Sequence, residues 1–453
     1  MKREMSSEKI KNSNTIVVIG NSTAGLSAID TIRQYDKRSR IVMISKEPHR
    51  PYSRCLLSYY LAGEIGKDRI WIRQKDYYKR NGIEPITGVE VESIDPSKNK
   101  IGLSGGKKVS YDRLLIASGA AAKFAKITGV DKKGVFVLRT LDDAQDIIAM
   151  LPGVKRVAVL GGGLIGMKAA YALSRRRLKV HVIVKSSHIF SQMLDRESSD
   201  IMREHLVKNG IEISTGLEAV RIDGDERVKG IELDDGNRLD CQLVIIGKGV
   251  SPNIGFAKGA IAANTGILTD ERMAADKPGI YAAGDVSETF DLFERKRAIN
   301  AIWPAAVRQG RIAALNMAVE TAHYEGSYGM NSVDFFDLPV ISFGLISPPD
   351  STFEELIQAD FNRSIYRKVI VKDDRIFGGI FINDIARHGI LLHLGLQRVD
   401  ISDIKSILVD EYFDYGRVIP LIKRQTENFI RPEYKDTVFT YNPQPSISLL
   451  GRW

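Results

Sequence analysis

Two apolar strands run straight into glycine-rich turns and on into helices, and this repetition constrains the chain more than any other feature. The first is Ile16-Val17-Val18-Ile19-Gly20-Asn21-Ser22-Thr23-Ala24-Gly25; the second is Val157-Ala158-Val159-Leu160-Gly161-Gly162-Gly163-Leu164-Ile165-Gly166. Glycine at such a turn lets backbone N–H groups approach a pyrophosphate, and the helix N-terminus adds partial positive charge. One such turn is weak evidence for a dinucleotide site. Two, each between a strand and a helix, point to two dinucleotides in one chain, and the common reason for that is hydride traffic between a flavin and a nicotinamide.

At 453 residues the chain is too long for one ordinary core and suits two or three domains. No run approaches the roughly 18 apolar residues of a membrane span, and no membrane association is expected. Met1 to Asn14 is polar and mixed in charge, which reads as a disordered arm and not a signal peptide, so a cytoplasmic protein is expected. Cys55 and Cys241 are the only cysteines. They exclude a disulfide framework and a multi-cysteine metal or iron–sulfur site within the chain, so redox chemistry must come from a bound cofactor or from one thiol acting singly. The net charge of +9 is compatible with an acidic partner such as a small electron-carrier protein, or reads simply as a solvated basic surface. No Lys/Arg block interleaved with aromatics appears, and nucleic acid is not expected.

The first turn belongs to a strand at 15–20, a helix at about 24–35 and a strand at 40–45. An antiparallel excursion over 83–112 follows, then the apolar run Leu114-Leu115-Ile116-Ala117-Ser118-Gly119. The same order recurs: strand, glycine turn, helix at 166–174, strand at 180–184, an excursion, and the strand 243–247. Tyr281-Ala282-Ala283-Gly284-Asp285 is a further buried strand stopping at a Gly-Asp pair. After about Gly329 the pattern changes to aromatic-bearing strands and then a helical stretch from Ile385. The fold class expected is α/β, with two Rossmann-like dinucleotide-binding domains and a C-terminal α+β domain.

The first turn carries Ser22 at its second glycine position, where a small side chain still allows backbone approach to phosphate. A ribose partner is expected near the end of the next strand; Ser45 stands there and Glu47, two residues on, is the preferred candidate. Asp285 ends a buried strand and needs a partner, which a flavin ribityl hydroxyl would supply, or else it caps a helix. The second turn is complete, Gly161-x-Gly163-x-x-Gly166. Its following strand ends at Lys185 with no carboxylate, which tilts the choice toward NADPH over NADH. Arg175-Arg176-Arg177 reads as a solvated helix end.

Together with Ala117-Ser118-Gly119 and Leu138-Arg139-Thr140-Leu141-Asp142-Asp143-Ala144, these motifs resemble the FAD-dependent pyridine nucleotide–disulfide oxidoreductases over residues 15–320. The resemblance implies FAD held around Gly20, Ser22, Gly25, Val91, Gly119 and Asp285, to which the reading of the residues adds Glu47 and Gly284. It implies NAD(P)H held around Gly161, Gly163, Gly166 and Gly249, and the reading of the residues adds Lys185. It also implies an FAD domain (15–124 and 251–329) interrupted by an NAD(P) domain (125–250), then a dimerisation or partner domain (330–453) and a homodimer. The paired cysteines of the disulfide reductases are absent.

The frame Glu47-Pro48-His49-Arg50-Pro51-Tyr52-Ser53-Arg54-Cys55-Leu56-Leu57-Ser58 is similar to ferredoxin and rubredoxin reductases and to the flavin domain of NADH–nitrite reductases. There the arginine, here Arg54, lies against the flavin. The segment 366–401 is similar to the third domain of rubredoxin reductases. Cys55 falls where coenzyme A disulfide reductases and related NADH oxidases carry a single redox cysteine. Read locally it is either a reactive thiolate favoured by Arg54 or a small residue buried near the flavin. The implied activity is an FAD-dependent NAD(P)H oxidoreductase passing electrons to a ferredoxin or rubredoxin. The alternatives are a Cys55-dependent reductase of a small disulfide or persulfide, an NADH oxidase, or a binding flavoprotein similar to the apoptosis-inducing factors. The aromatic tail, with Tyr412, Phe413, Tyr415, Tyr434, Tyr441 and Trp453, falls outside the resemblance.

Overall fold

The computed structural model describes residues 14–124, 126–319 and 321–425. The expected arm, up to residue 13, and Tyr434, Tyr441 and Trp453 lie outside the described residues. The chain divides into two compact units, Met1–Leu338 and Pro339–Trp453.

The first unit begins β1 (Thr15–Ile19), α1 (Thr23–Tyr35), β2 (Arg40–Ser45), α2 (Leu57–Ala62), β3 (Ile83–Thr87) and β4 (Arg113–Ile116). It then builds a second sheet from β5 (Val135–Val137), α3 (Leu141–Met150), β6 (Arg156–Leu160), α4 (Leu164–Arg175), β7 (Lys179–Val184), α5 (Arg196–Lys208), β8 (Ile211–Thr215) and β9 (Leu243–Ile246). It returns to the first sheet with β10 (Ile280–Ala282) and α6 (Trp303–Ala318). Both sheets are parallel, ordered β3-β2-β1-β4-β10 and β8-β7-β6-β9-β5. The architecture is indeed written twice, and only the edge strand differs in origin. β10 comes late in the chain, and β5 precedes the rest of its sheet.

The strands read as continuous apolar runs because helices or meanders cover both faces. β1 and β6 are almost wholly buried at their carboxyl halves. α1 packs on α6 across one face of the first sheet. The excursion after β3 is an antiparallel meander of Val91–Asp95, Lys100–Leu103 and Lys108–Ser110, and its counterpart is Ala219–Asp223, Gly230–Leu233 and Arg238–Asp240. The second helix starts at Leu164, two residues before the expected Gly166, because Gly163 is extended and serves as its N-cap.

Glycine is required at both turns. Gly20 has φ +119° and a Cβ there would lie 2.1 Å from the Ala117 carbonyl oxygen; Gly161 has φ +127° and a Cβ would lie 2.5 Å from the Gly247 oxygen. Each turn is thus pressed against the neighbouring strand's exit, and no larger residue fits.

In the second unit, β12 (Glu354–Asp360), β13 (Ile365–Lys372) and β14 (Arg375–Ile382) form antiparallel pairs, and β11 (Leu338–Gly344) adds antiparallel to β14. A helix, α7 (His388–Leu396), packs on β14. Phe413 is buried, whereas Tyr412 and Tyr415 are exposed. Among the described residues, no helix is long and apolar enough to cross a membrane.

Candidate functional site

The carboxyl ends of β1, β2, β4 and β10 open into one cavity of about 1030 Å³. Ligands of open α/β sheets bind at such carboxyl ends, next to the turns that leave them. Gly20, Ser22, Glu47, Arg54, Cys55, Val91, Gly119, Gly284 and Asp285 all line it, although they span 266 residues of chain. Gly25 lies behind the turn: a Cβ there would fall 2.2 Å from the Gly20 oxygen. The site offers backbone N–H groups at one end and charged side chains at the other, with small residues and backbone between. That donor set and volume fit an extended dinucleotide such as FAD. At Gly119, with φ +67°, a Cβ would meet nothing within 4 Å, so the backbone there is open to a ligand.

The charged side chains are tied to one another. Arg54 Nη2 donates to Glu47 Oε1, and Arg54 Nη1 donates to the Arg139 carbonyl at 2.7 Å. Tyr52 donates its hydroxyl to Glu47 Oε2 and accepts from Arg54 Nη1 at 3.1 Å and from the Leu141 N–H at 3.0 Å. Burial pushes the Tyr52 hydroxyl well above its ordinary pKa, so it stays a donor at neutral pH. For Arg54, burial alone would lower the pKa, but Tyr52 and Glu47 outweigh it and hold the guanidinium raised and charged.

Arg139 carries the network to the far wall. Its Nη2 donates to Asp285 Oδ2 at 2.7 Å and its Nε to the Ala120 carbonyl at 3.1 Å. Asp285 is therefore not a helix cap: no helix begins there, and a strand at Ser287–Phe290 follows. Arg139 is placed by the capping box that starts α3, in which Thr140 accepts from the Asp143 N–H and Asp143 Oδ2 accepts from the N–H groups of Thr140 and Arg139. His49 meets Asp142 of the same turn at 2.7 Å. The Leu138–Ala144 motif thus locks the inserted segment onto the first cavity.

Cys55 is exposed at the wall of the cavity. It lies in the one-turn segment Arg54–Leu56 that leads into α2. Cys241 is buried, and burial pushes its thiol up to about 12.

The second group gathers at the carboxyl end of the other sheet and does not line this cavity. A Cβ at Gly163 would meet nothing within 4 Å, nor would one at Gly249, which has φ +84°. Lys185 follows β7, but its ammonium is paired with Glu218 Oε2 at 2.6 Å. α2, just after Cys55, packs on α4, just after the second turn. Tyr171 and Arg175 of α4 both donate to Glu64 Oε1, at 2.9 and 2.8 Å, and Arg176 Nε donates to the Leu61 carbonyl at 2.8 Å. Arg175 and Arg176 therefore tie the end of α4 to α2 and the residues just after it, while all three arginines, Arg175, Arg176 and Arg177, are exposed.

Sequence reasoning gave no role to Tyr52 or Arg139, although it named both within the Glu47–Ser58 frame and the Leu138–Ala144 motif, and it missed Glu218 and Lys248, which have no local signal.

The sequence matches the pyridine nucleotide-disulphide oxidoreductase family over residues 14–310 and the rubredoxin NAD+ reductase C-terminal domain over residues 330–394. The NADH-dependent phenylglyoxylate dehydrogenase subunit epsilon of Aromatoleum evansii is 30% identical over 407 residues, covering 89% of this chain and 96% of that protein. The NADH oxidase of Methanocaldococcus jannaschii is 35% identical over 319 residues, covering 68% and 71%. Among solved structures, a ferredoxin reductase from Rhodopseudomonas palustris superposes with a TM-score of 0.79 at 26% identity, over 89% of this chain and 99% of that one.

Proposed function

Since the chain belongs to the pyridine nucleotide-disulphide oxidoreductase family and is an FAD-dependent NAD(P)H oxidoreductase, we propose that its electron acceptor is a small acidic carrier protein of the ferredoxin or rubredoxin kind. Bound FAD would supply the hydride-accepting and electron-passing chemistry. The chain's own residues do the holding. Ser22, at the start of α1, would present its backbone N–H to the FAD pyrophosphate; the Gly20 N–H is taken by the Ile44 carbonyl at 2.8 Å, and Gly20 serves by its tight turn, with Gly25 letting the helix close behind it. Glu47, Val91, Gly119 and Gly284 line its path, and Asp285, oriented by Arg139, accepts from the ribityl chain. Arg54 keeps a fixed positive charge at the flavin end, clamped by Glu47 and Tyr52. Gly161, Gly163, Gly166 and Gly249 hold NAD(P)H at the second turn.

The observation that carries this reading is the convergence of residues 20 to 285 on one cavity, beside a helix pair that ties it to the second turn. The carrier is favoured by the net charge of +9, by the rubredoxin-reductase type of C-terminal segment and by the ferredoxin reductase among the similar structures. A relative that is one subunit of a larger dehydrogenase also fits a module that exchanges electrons with protein. We place the protein in the cytoplasm, as a homodimer built through the C-terminal unit, which light scattering of the purified protein tests.

The test is NAD(P)H-driven reduction of a bacterial ferredoxin and a rubredoxin by the flavin-loaded protein, at rising salt. Turnover that falls with salt is expected. The second reading rests on the exposed thiol of Cys55 at the cavity wall. Turnover with coenzyme A disulfide alone, abolished in Cys55→Ser, would replace the carrier reading with that one.

A further inference from the structure

In an α/β dinucleotide site the adenosine ribose meets the end of the second strand, and a carboxylate there selects a 2′-hydroxyl against a 2′-phosphate. Here that strand, β7, ends in Val184-Lys185-Ser186-Ser187, with no acidic side chain. The loop after β8 supplies one. The Gly216 N–H donates to the Ser186 carbonyl and the Leu217 N–H to the Val184 carbonyl, both at 3.1 Å, so residues 216–217 run in register beside the end of β7. Glu218 comes next. Its own N–H donates to Asp234 Oδ1 at 3.0 Å and its carbonyl accepts from the Asp234 N–H at 2.9 Å.

The Glu218 carboxylate stands between two lysines. Oε2 accepts from Lys185 at 2.6 Å, and Oε1 accepts from Lys248 on the loop after β9. Lys185 is 76% exposed, whereas Glu218 and Lys248 are 28% and 31% exposed. The carboxylate is thus the anchored member and Lys185 the freely solvated one. The hydrogen bonds from Lys185 and then Lys248 hold the Glu218 carboxyl below its usual range, so it is charged throughout the working pH range.

We propose that Glu218 is the residue that sets dinucleotide preference, occupying the two ammonium groups that would otherwise attract a 2′-phosphate and favouring NADH over NADPH. The local sequence reads the other way, because Lys185 alone looks like a phosphate ligand. The proposal rests on the assignment of the second glycine turn to NAD(P)H, and its test separates the two.

Binding of NAD+ and NADP+ to the oxidised, flavin-loaded protein is measured by titration calorimetry, where no turnover occurs. Wild type is expected to bind NAD+ more tightly. Glu218→Gln should tighten NADP+ by at least about fivefold, the scale of releasing two partly exposed ion pairs, and leave NAD+ within about twofold. Adding Lys185→Gln to that variant should reverse the gain. Equal changes for both dinucleotides would mark Glu218 as a mere tie between loops and overturn the proposal, as would a gain that survives loss of Lys185. If wild type bound neither dinucleotide, the assignment of the second turn itself would fall.

Discussion

Replacing Tyr52 by phenylalanine removes a single oxygen atom from the centre of the charged network. The ring is 6% exposed and fills the same space afterwards, so no cavity opens and the loss is purely polar. The Leu141 N–H, on a residue with 0% exposure, loses its acceptor, which costs about 1–3 kcal/mol. Glu47 and Arg54 each lose one hydrogen bond but keep each other, which adds roughly 1 kcal/mol. A total of about 2–4 kcal/mol should lower the melting temperature by several degrees. Because Arg54 then rests on Glu47 and the Arg139 carbonyl alone, flavin should also leave at a lower temperature. Thermal melts followed by circular dichroism and by flavin fluorescence check both. Unchanged melting and unchanged flavin release in Tyr52→Phe would refute the view that this hydroxyl joins the turn after β2 to the start of α3.

Gly161→Ala should weaken NAD+ binding more than about tenfold, since a Cβ would sit 2.5 Å from the Gly247 oxygen at φ +127°, while flavin content stays unchanged; retained dinucleotide affinity would contradict the role of the second turn. A maleimide should leave Cys241 unlabelled in the native protein, because it is buried with its thiol pushed up to about 12, and label it in guanidinium; native labelling of Cys241 would contradict that. Burial holds His181 below its ordinary value of 6.5, with Glu212 opposing more weakly. The unfolded chain therefore binds that proton first: its contribution is intact above about pH 6.5 and is lost as pH falls through the lower folded value. His181→Gln should flatten that part of the curve of melting temperature against pH, and an unaltered curve would count against it.

What was legible in the sequence is what is local. Each strand–turn–helix unit is set by neighbours: apolar runs for buried parallel strands, and a glycine where the turn presses on the next strand. The repeat was therefore visible before any coordinates. Cross-chain partners were not. Asp285 needed a partner, but nothing near it names Arg139, 146 residues away, because only the sheet order brings α3 beside the end of β10. Lys185 looked free for the same reason: Glu218 reaches it through backbone register between β7 and the loop after β8. That Cys55 stands at the cavity wall depends on how the turn before α2 lies, which residue spacing does not determine.

An FAD-dependent NAD(P)H oxidoreductase must bring a flavin and a nicotinamide dinucleotide into electronic contact within one chain. Anaerobic titration of the purified protein with NADH and with NADPH, followed by absorbance, tests it most directly. The flavin spectrum should bleach with about one equivalent of reductant, and at a lower concentration of NADH than of NADPH. A protein that carries no flavin, or a bound flavin that neither dinucleotide bleaches, would contradict it.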